Sequence, residues 1–166
     1  MIRSGMGPEV IGSQELVLVQ VKQRRGSVHT KENTWAKSLG DDLYEIRGPL
    51  HLISGLNTLD IVKAVSDEGG SLPSVTDIVK RSGYKTLHVV FFKNVQTADR
   101  ERILRTLEKW NVTFQEALER FYTIQISPGG DYESASMYLK SLNTELLLER
   151  EPDITVDVLL RCRLFS

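Results

Sequence analysis

The sequence predicts an α+β protein: a small β-roll or half-barrel, packed against a ferredoxin-like split βαβ unit. Three observations carry that expectation. Five short strand-like runs separated by turn residues fill the first half. Helical periodicity appears only after Tyr84. From there the order reads strand, helix, strand, strand, helix, strand. A chain of 166 residues buries about 70% of its unfolded surface, so one compact body needs no staple.

Residues 1–14 hold three Gly, one Pro and two Ser without periodicity and read as a tail. Residues 15–84 form the β-rich half and 85–166 the ferredoxin-like half. The Val- and Leu-rich Glu15–Gln23 reads as a central strand, and the basic stretch after it, through Asn33, as a connection. Thr34–Leu39 and Leu43–Gly48 read as strands joined by Gly40-Asp41-Asp42. Glycine tolerates positive φ and Asp bonds nearby amides, so this is hairpin-turn chemistry. A catalytic carboxylate pair needs a fixed separation across a substrate, which adjacent turn residues do not supply. Asp41 and Asp42 are therefore read as structural. A turn at Ser54-Gly55 and strands over about Asp60–Val65 and Ser74–Gly83 complete the half.

In the second half Thr86–Phe92 reads as a buried strand. Thr97 is placed to cap a helix whose Ile103, Leu104, Leu107 and Trp110 recur at helical spacing, with Glu101 and Arg105 as an exposed ion pair. Two strands follow, meeting near Glu119. Asp131 is placed to cap a second helix that turns Ala135, Tyr138, Leu139 and Leu142 inward, and residues 144–151 and 154–162 close as strands.

No catalytic constellation emerges. His29, His51 and His88 match no local metal-ligand spacing. Cys162, the single cysteine, forms no internal disulfide and reads as a small core hydrophobe. The glycines of Arg81–Lys85 and of Ile126–Asp131 lack a phosphate-loop pattern. The Tyr and Phe residues of the second half lack the motif of an RNA-stacking platform. The N-terminus has no signal-peptide core and no apolar run approaches about 20 residues, so the expected compartment is the cytoplasm.

Charge is more informative. A net charge of −1 gives no global argument for nucleic acid or membrane. It hides two opposed segments. Lys22, Arg24, Arg25, Lys31 and Lys37 face one acid, Glu32; Glu145, Glu149, Glu151, Asp153 and Asp157 face one base, Arg150. The acidic segment is the expected partner-binding face, and charge-guarded strand edges are the competing explanation.

The pattern E-x-x-W-A-x-x-L-G-D-D-L-Y-E-I-R-G-P-L over Glu32–Leu50, then G-L-N-T-L-D-I-V-K-A over Gly55–Ala64 and V-K-R-S-G-Y-K-T-L-H-V over Val79–Val89, resembles a bacterial family recorded only as a domain of unknown function. F-Y-T-I-Q-I-S-P and L-L-L-E-R-E resemble its second half, so the likeness runs from Leu16 to Glu151. Members commonly show Phe after the Pro and His after the Ser-Gly. Here those positions hold Leu50 and Tyr84, which argues against carrying over any chemistry of that His. By analogy with small solitary bacterial binders, the resemblance implies an immunity protein that occludes the active site of a toxin or effector enzyme with a basic surface, and that needs no cofactor or metal. A small-molecule sensor with a pocket between the halves, and an enzyme built on the histidines or Cys162, are the alternatives.

Overall fold

The structure, a computed structural model, describes residues 15–142 and 147–150. The apolar run after Glu15 continues as a strand well past its apolar part. β1 (Leu16–Arg25) turns at Gly26-Ser27 into β2 (Val28–Gly40), with Arg25 registered on Val28 and Leu16 on Lys37. The stretch expected to be a connection is therefore a hairpin. Its polarity misleads because only alternate residues enter the core: Val19 and Val21 of β1 face in with Thr34 and Ala36 of β2, while Gln20 and, further along, Lys22, Arg24 and Lys31 face out. Gly26, at φ 58°, supplies the backbone that a two-residue turn requires at its first central position.

β2 turns into β3 (Leu43–Ile46) through Asp41 and Asp42, both at positive φ (51° and 59°). That is the geometry of a type I′ hairpin, which Asp tolerates better than most residues. The two carboxylates sit at a turn, as their chemistry predicts. β4 (Ile61–Val65) and β5 (Ser74–Lys80) continue the antiparallel meander. The expected half-barrel is in fact closed. Ser74 of β5 registers parallel to Gln20 of β1, whose N–H donates to the Pro73 carbonyl at 2.8 Å. β1 is long enough to be paired along both edges, which removes the exposed edge that a roll would leave.

The second sheet begins after a four-residue link, residues 81–84. Its strands are β6 (Lys85–Phe91), β7 (Val112–Leu118), β8 (Phe121–Ile126) and β9 (Leu147–Arg150), arranged β7-β8-β6-β9 with every neighbour antiparallel. α1 (Thr97–Leu107) lies between β6 and β7, and α2 (Tyr132–Ser141) between β8 and β9. Gln96, not Thr97, is the N-cap of α1, and its side chain makes no capping bond. The ion pair on that helix is Asp99–Arg102, at 3.2 Å, rather than Glu101–Arg105. Asp131 does cap α2, accepting from the Ser134 N–H at 2.9 Å and the Ser134 hydroxyl at 2.6 Å.

Each sheet has its own core. Val19, Val21, Ala36, Ile46, Val62 and Ala64 fill the barrel. Leu87, Val89, Phe91 and Ile124 meet Ile103, Leu104, Leu107, Ala135 and Leu139 of the two helices. Gly130 marks how closely the turn before α2 approaches the 3-10 turn (Glu108–Trp110) that follows α1. A Cβ there would lie 2.6 Å from Ile126 Cγ2 and 2.8 Å from the Trp110 carbonyl oxygen.

Candidate functional site

Strand alternation gives the second sheet two unlike faces. Leu87, Val89 and Ile124 lie toward the helices; Thr86, His88, Thr123 and Gln125 lie on the other side. Register pairs them as Thr86 with Gln125 and His88 with Thr123. Such a polar face would ordinarily be wet. Here Thr86, His88 and Thr123 are buried, and the segment joining β3 to β4 covers them.

That segment, residues 47–60, sends Leu50, Ile53 and Leu56 into the barrel core and its polar groups onto the sheet. His51 Nδ1 lies 2.7 Å from the Thr123 hydroxyl, and His88 Nε2 lies 3.2 Å from the Leu50 carbonyl. The Thr86 hydroxyl donates to Asn57 Oδ1 at 2.8 Å, and Gln125 Nε2 donates to the Thr58 hydroxyl. Four side chains of β6 and β8 thus grip one loop.

Two carboxylates hold the loop from the barrel side. Glu32 of β2 accepts the N–H groups of His51 at 2.7 Å, Leu52 at 2.9 Å and Ile53 at 3.1 Å. An ionised carboxylate suits three converging amides that have no strand or helix partner. Asp60, fully buried, accepts the N–H of Asn57 at 3.0 Å and of Ser82 at 2.7 Å, with Arg81 at 3.2 Å. Ser82 donates its hydroxyl to the Thr58 carbonyl at 2.6 Å. Asp60 therefore ties the end of the loop to the link between the two sheets.

Burial pushes the His51 imidazole below its ordinary 6.5, against the opposing pull of Glu32. A neutral imidazole beside a hydroxyl is the arrangement of a general base and nucleophile. Thr123, however, has no exposed surface, and a hydroxyl that substrate cannot reach does not attack one. The contact is a cross-link between loop and sheet.

The sequence-predicted residues distribute as follows. His51 and His88 come together at this junction, while His29 lies exposed on β2 opposite Arg24. Among the described residues no group of His, Cys, Asp and Glu is arranged to hold a metal. Glu149 lies on β9 with its backbone registered on Val89. Glu145, Glu151, Asp153, Asp157 and Cys162 fall outside the described residues. Glu32, Asp60, Thr123 and Gln125 were not marked as site residues by the sequence. The one available signal was Asp60, an acid set inside the otherwise apolar L-D-I-V run of Leu59–Val62. A shallow groove of about 490 Å³ along α1, lined by Ala98, Glu101, Arg102, Arg105 and Thr106, carries both signs of charge and no convergent polar cluster.

A closed five-stranded β-barrel, joined by one of its loops to the polar face of an antiparallel sheet that carries two helices, defines an α+β protein. The chain belongs to the family Domain of unknown function (DUF4265), whose pattern matches residues 32–149. It is similar in fold to a solved structure described as a hypothetical protein from Neisseria gonorrhoeae. The TM-score is 0.69 at 15% identity, over 82% of this chain and 94% of the other. No curated protein matches the chain. Within the described residues no helix is long and apolar enough to cross a membrane.

Proposed function

We propose that this protein is a non-catalytic binding protein, an immunity-type inhibitor that acts in the cytoplasm by occluding the active site of a toxin or effector enzyme. One observation carries the reading: the titratable groups gathered at the loop junction are spent on the protein's own backbone and side chains. Glu32 holds three amides, Asp60 holds two amides and a guanidinium, and His51 and His88 bond the loop and the sheet. A scaffold locked in this way loses little freedom on docking, which favours tight binding by a preformed surface. The order β7-β8-β6-β9, with a helix in each crossover, supports reading the second half as ferredoxin-like, a frame that commonly presents a sheet edge or helix face to partners. In this reading Glu145, Glu149, Glu151, Asp153 and Asp157 pair with the basic groups that the partner uses on its own substrate.

The test is co-purification of the full chain with the enzyme encoded beside it, with activity measured in the complex. A stoichiometric complex in which that activity vanishes supports inhibition. A chain that purifies alone, or that carries a small molecule through purification, overturns it and promotes the sensor.

A further inference from the structure

The β1–β2 hairpin breaks a rule that antiparallel pairs generally keep. Lys22 lies directly opposite Lys31, and in the next pair outward Arg24 lies opposite His29. All four side chains are exposed on the outer face of the barrel. Lys22 and Lys31 are like charges directly opposite each other, which is destabilising, and Arg24 next to them donates from Nε only to the Gly26 carbonyl. Glu32, the one acid between Lys22 and Lys37, is turned to the other face of β2 and fully engaged with the backbone of residues 51–53. Among the described residues Lys22, Arg24 and Lys31 make no ion pair. Lys37, further along the same face, lies opposite Glu45 of β3 in register, and Glu45 is itself ion-paired with Arg47.

The same face continues in order. Beyond Lys22/Lys31 comes Gln20 opposite Asn33, bridged side chain to side chain at 3.4 Å, and then Leu18 opposite Trp35. Trp35 is half-buried and belongs to neither core cluster. Successive pairs on one face are about 7 Å apart. The row therefore presents cations, then an amide pair with donors and acceptors, then an aromatic side chain, along about 20 Å of strand.

We propose that this face binds single-stranded nucleic acid. Lys22, Arg24 and Lys31 take phosphates, Trp35 stacks a base, and Gln20 and Asn33 meet base edges between them. A basic track beside an aromatic platform is the arrangement by which β-barrels hold single strands of about four nucleotides or more. The net charge of −1 argues against nucleic acid only for the molecule as a whole; strand register concentrates the cations that the total conceals. The proposal stands independently of the inhibitor reading, because it uses different residues.

The experiment is fluorescence anisotropy of the full chain with end-labelled 12-residue oligothymidylate and oligouridylate at 50 and 200 mM salt. Three neutralised phosphates predict a salt slope near −2, or about twenty-fold weaker binding at the higher salt. Lys22→Glu and Lys31→Glu should each weaken binding at least tenfold while leaving the thermal midpoint unchanged or raised, since each restores an opposite-charge pair. Trp35→Leu should cost about fivefold or more. No binding at 50 mM salt, or binding indifferent to both charge reversals, overturns the proposal. Binding that ignores Trp35→Leu and is displaced equally well by polyglutamate also overturns it, and assigns the face to an acidic protein.

Discussion

His51 and Thr123, 72 positions apart in the chain, meet at 2.7 Å through Nδ1 and Oγ1, and this contact couples the barrel's longest loop to the central strand β8. It joins two halves that have separate apolar cores. Hydrogen bonds at this junction decide whether they behave as one body.

The pH dependence follows from burial. The folded protein holds His51 below the 6.5 of an exposed imidazole, so the unfolded chain takes up the proton more readily. The contribution to stability is complete above about pH 6.5 and is lost as pH falls through the lower folded value. Urea midpoints of the parent and His51→Gln, measured from pH 7.5 to pH 5, should converge toward the acid end. Parallel curves would rule out His51 as the source.

Glu32→Ala removes the acceptor of three backbone N–H groups and leaves them without partners at the edge of the barrel core. The expected cost is about 3 kcal/mol, because each stranded amide forfeits a charge-assisted bond. Glu32→Gln, which retains an oxygen acceptor, should lose less. Equal losses in equilibrium urea unfolding would show that the carboxylate charge, and not its reach, decides.

Asp60→Ala strands the N–H groups of Asn57 and Ser82 and frees Arg81 from its buried partner. The expected cost is about 3–5 kcal/mol. Hydrogen exchange should show faster opening of residues 55–60 and 81–84 than of the strands. Uniform acceleration would place Asp60 in the global core instead.

Gly130→Ala drives a methyl into Ile126 and the Trp110 carbonyl, both closer than 3 Å. Backbone cannot retreat as a flexible side chain can, so a loss of about 1–3 kcal/mol is expected. A thermal midpoint equal to the parent's would show that the turn before α2 shifts freely.

Lys22→Glu should stabilise the hairpin by about 0.5 kcal/mol, by replacing a like-charge pair with an attractive one. The gain should shrink at 1 M salt, where screening removes it. A destabilised variant at low salt would contradict the strand register.

Local chemistry was enough to reveal much of this protein. Apolar strand runs mark the barrel core at Val19, Val62 and Ala64, helical spacing marks Ile103, Leu104 and Leu107, and Asp41-Asp42 and Asp131 announce their turn and cap. These features depend on neighbours within a few residues, and neighbours in sequence are what a pattern records. The β1–β2 hairpin hid because its inner face is apolar only on alternate residues while its outer face is charged. Closure of the barrel rests on one parallel register pair, Gln20 with Ser74, and no local pattern signals a contact across such a distance. The junction was invisible for the same reason. Whether Glu32 is a surface charge or the anchor of a loop depends on where residues 51–53 come to lie, and only the folded chain brings three amides to one carboxylate.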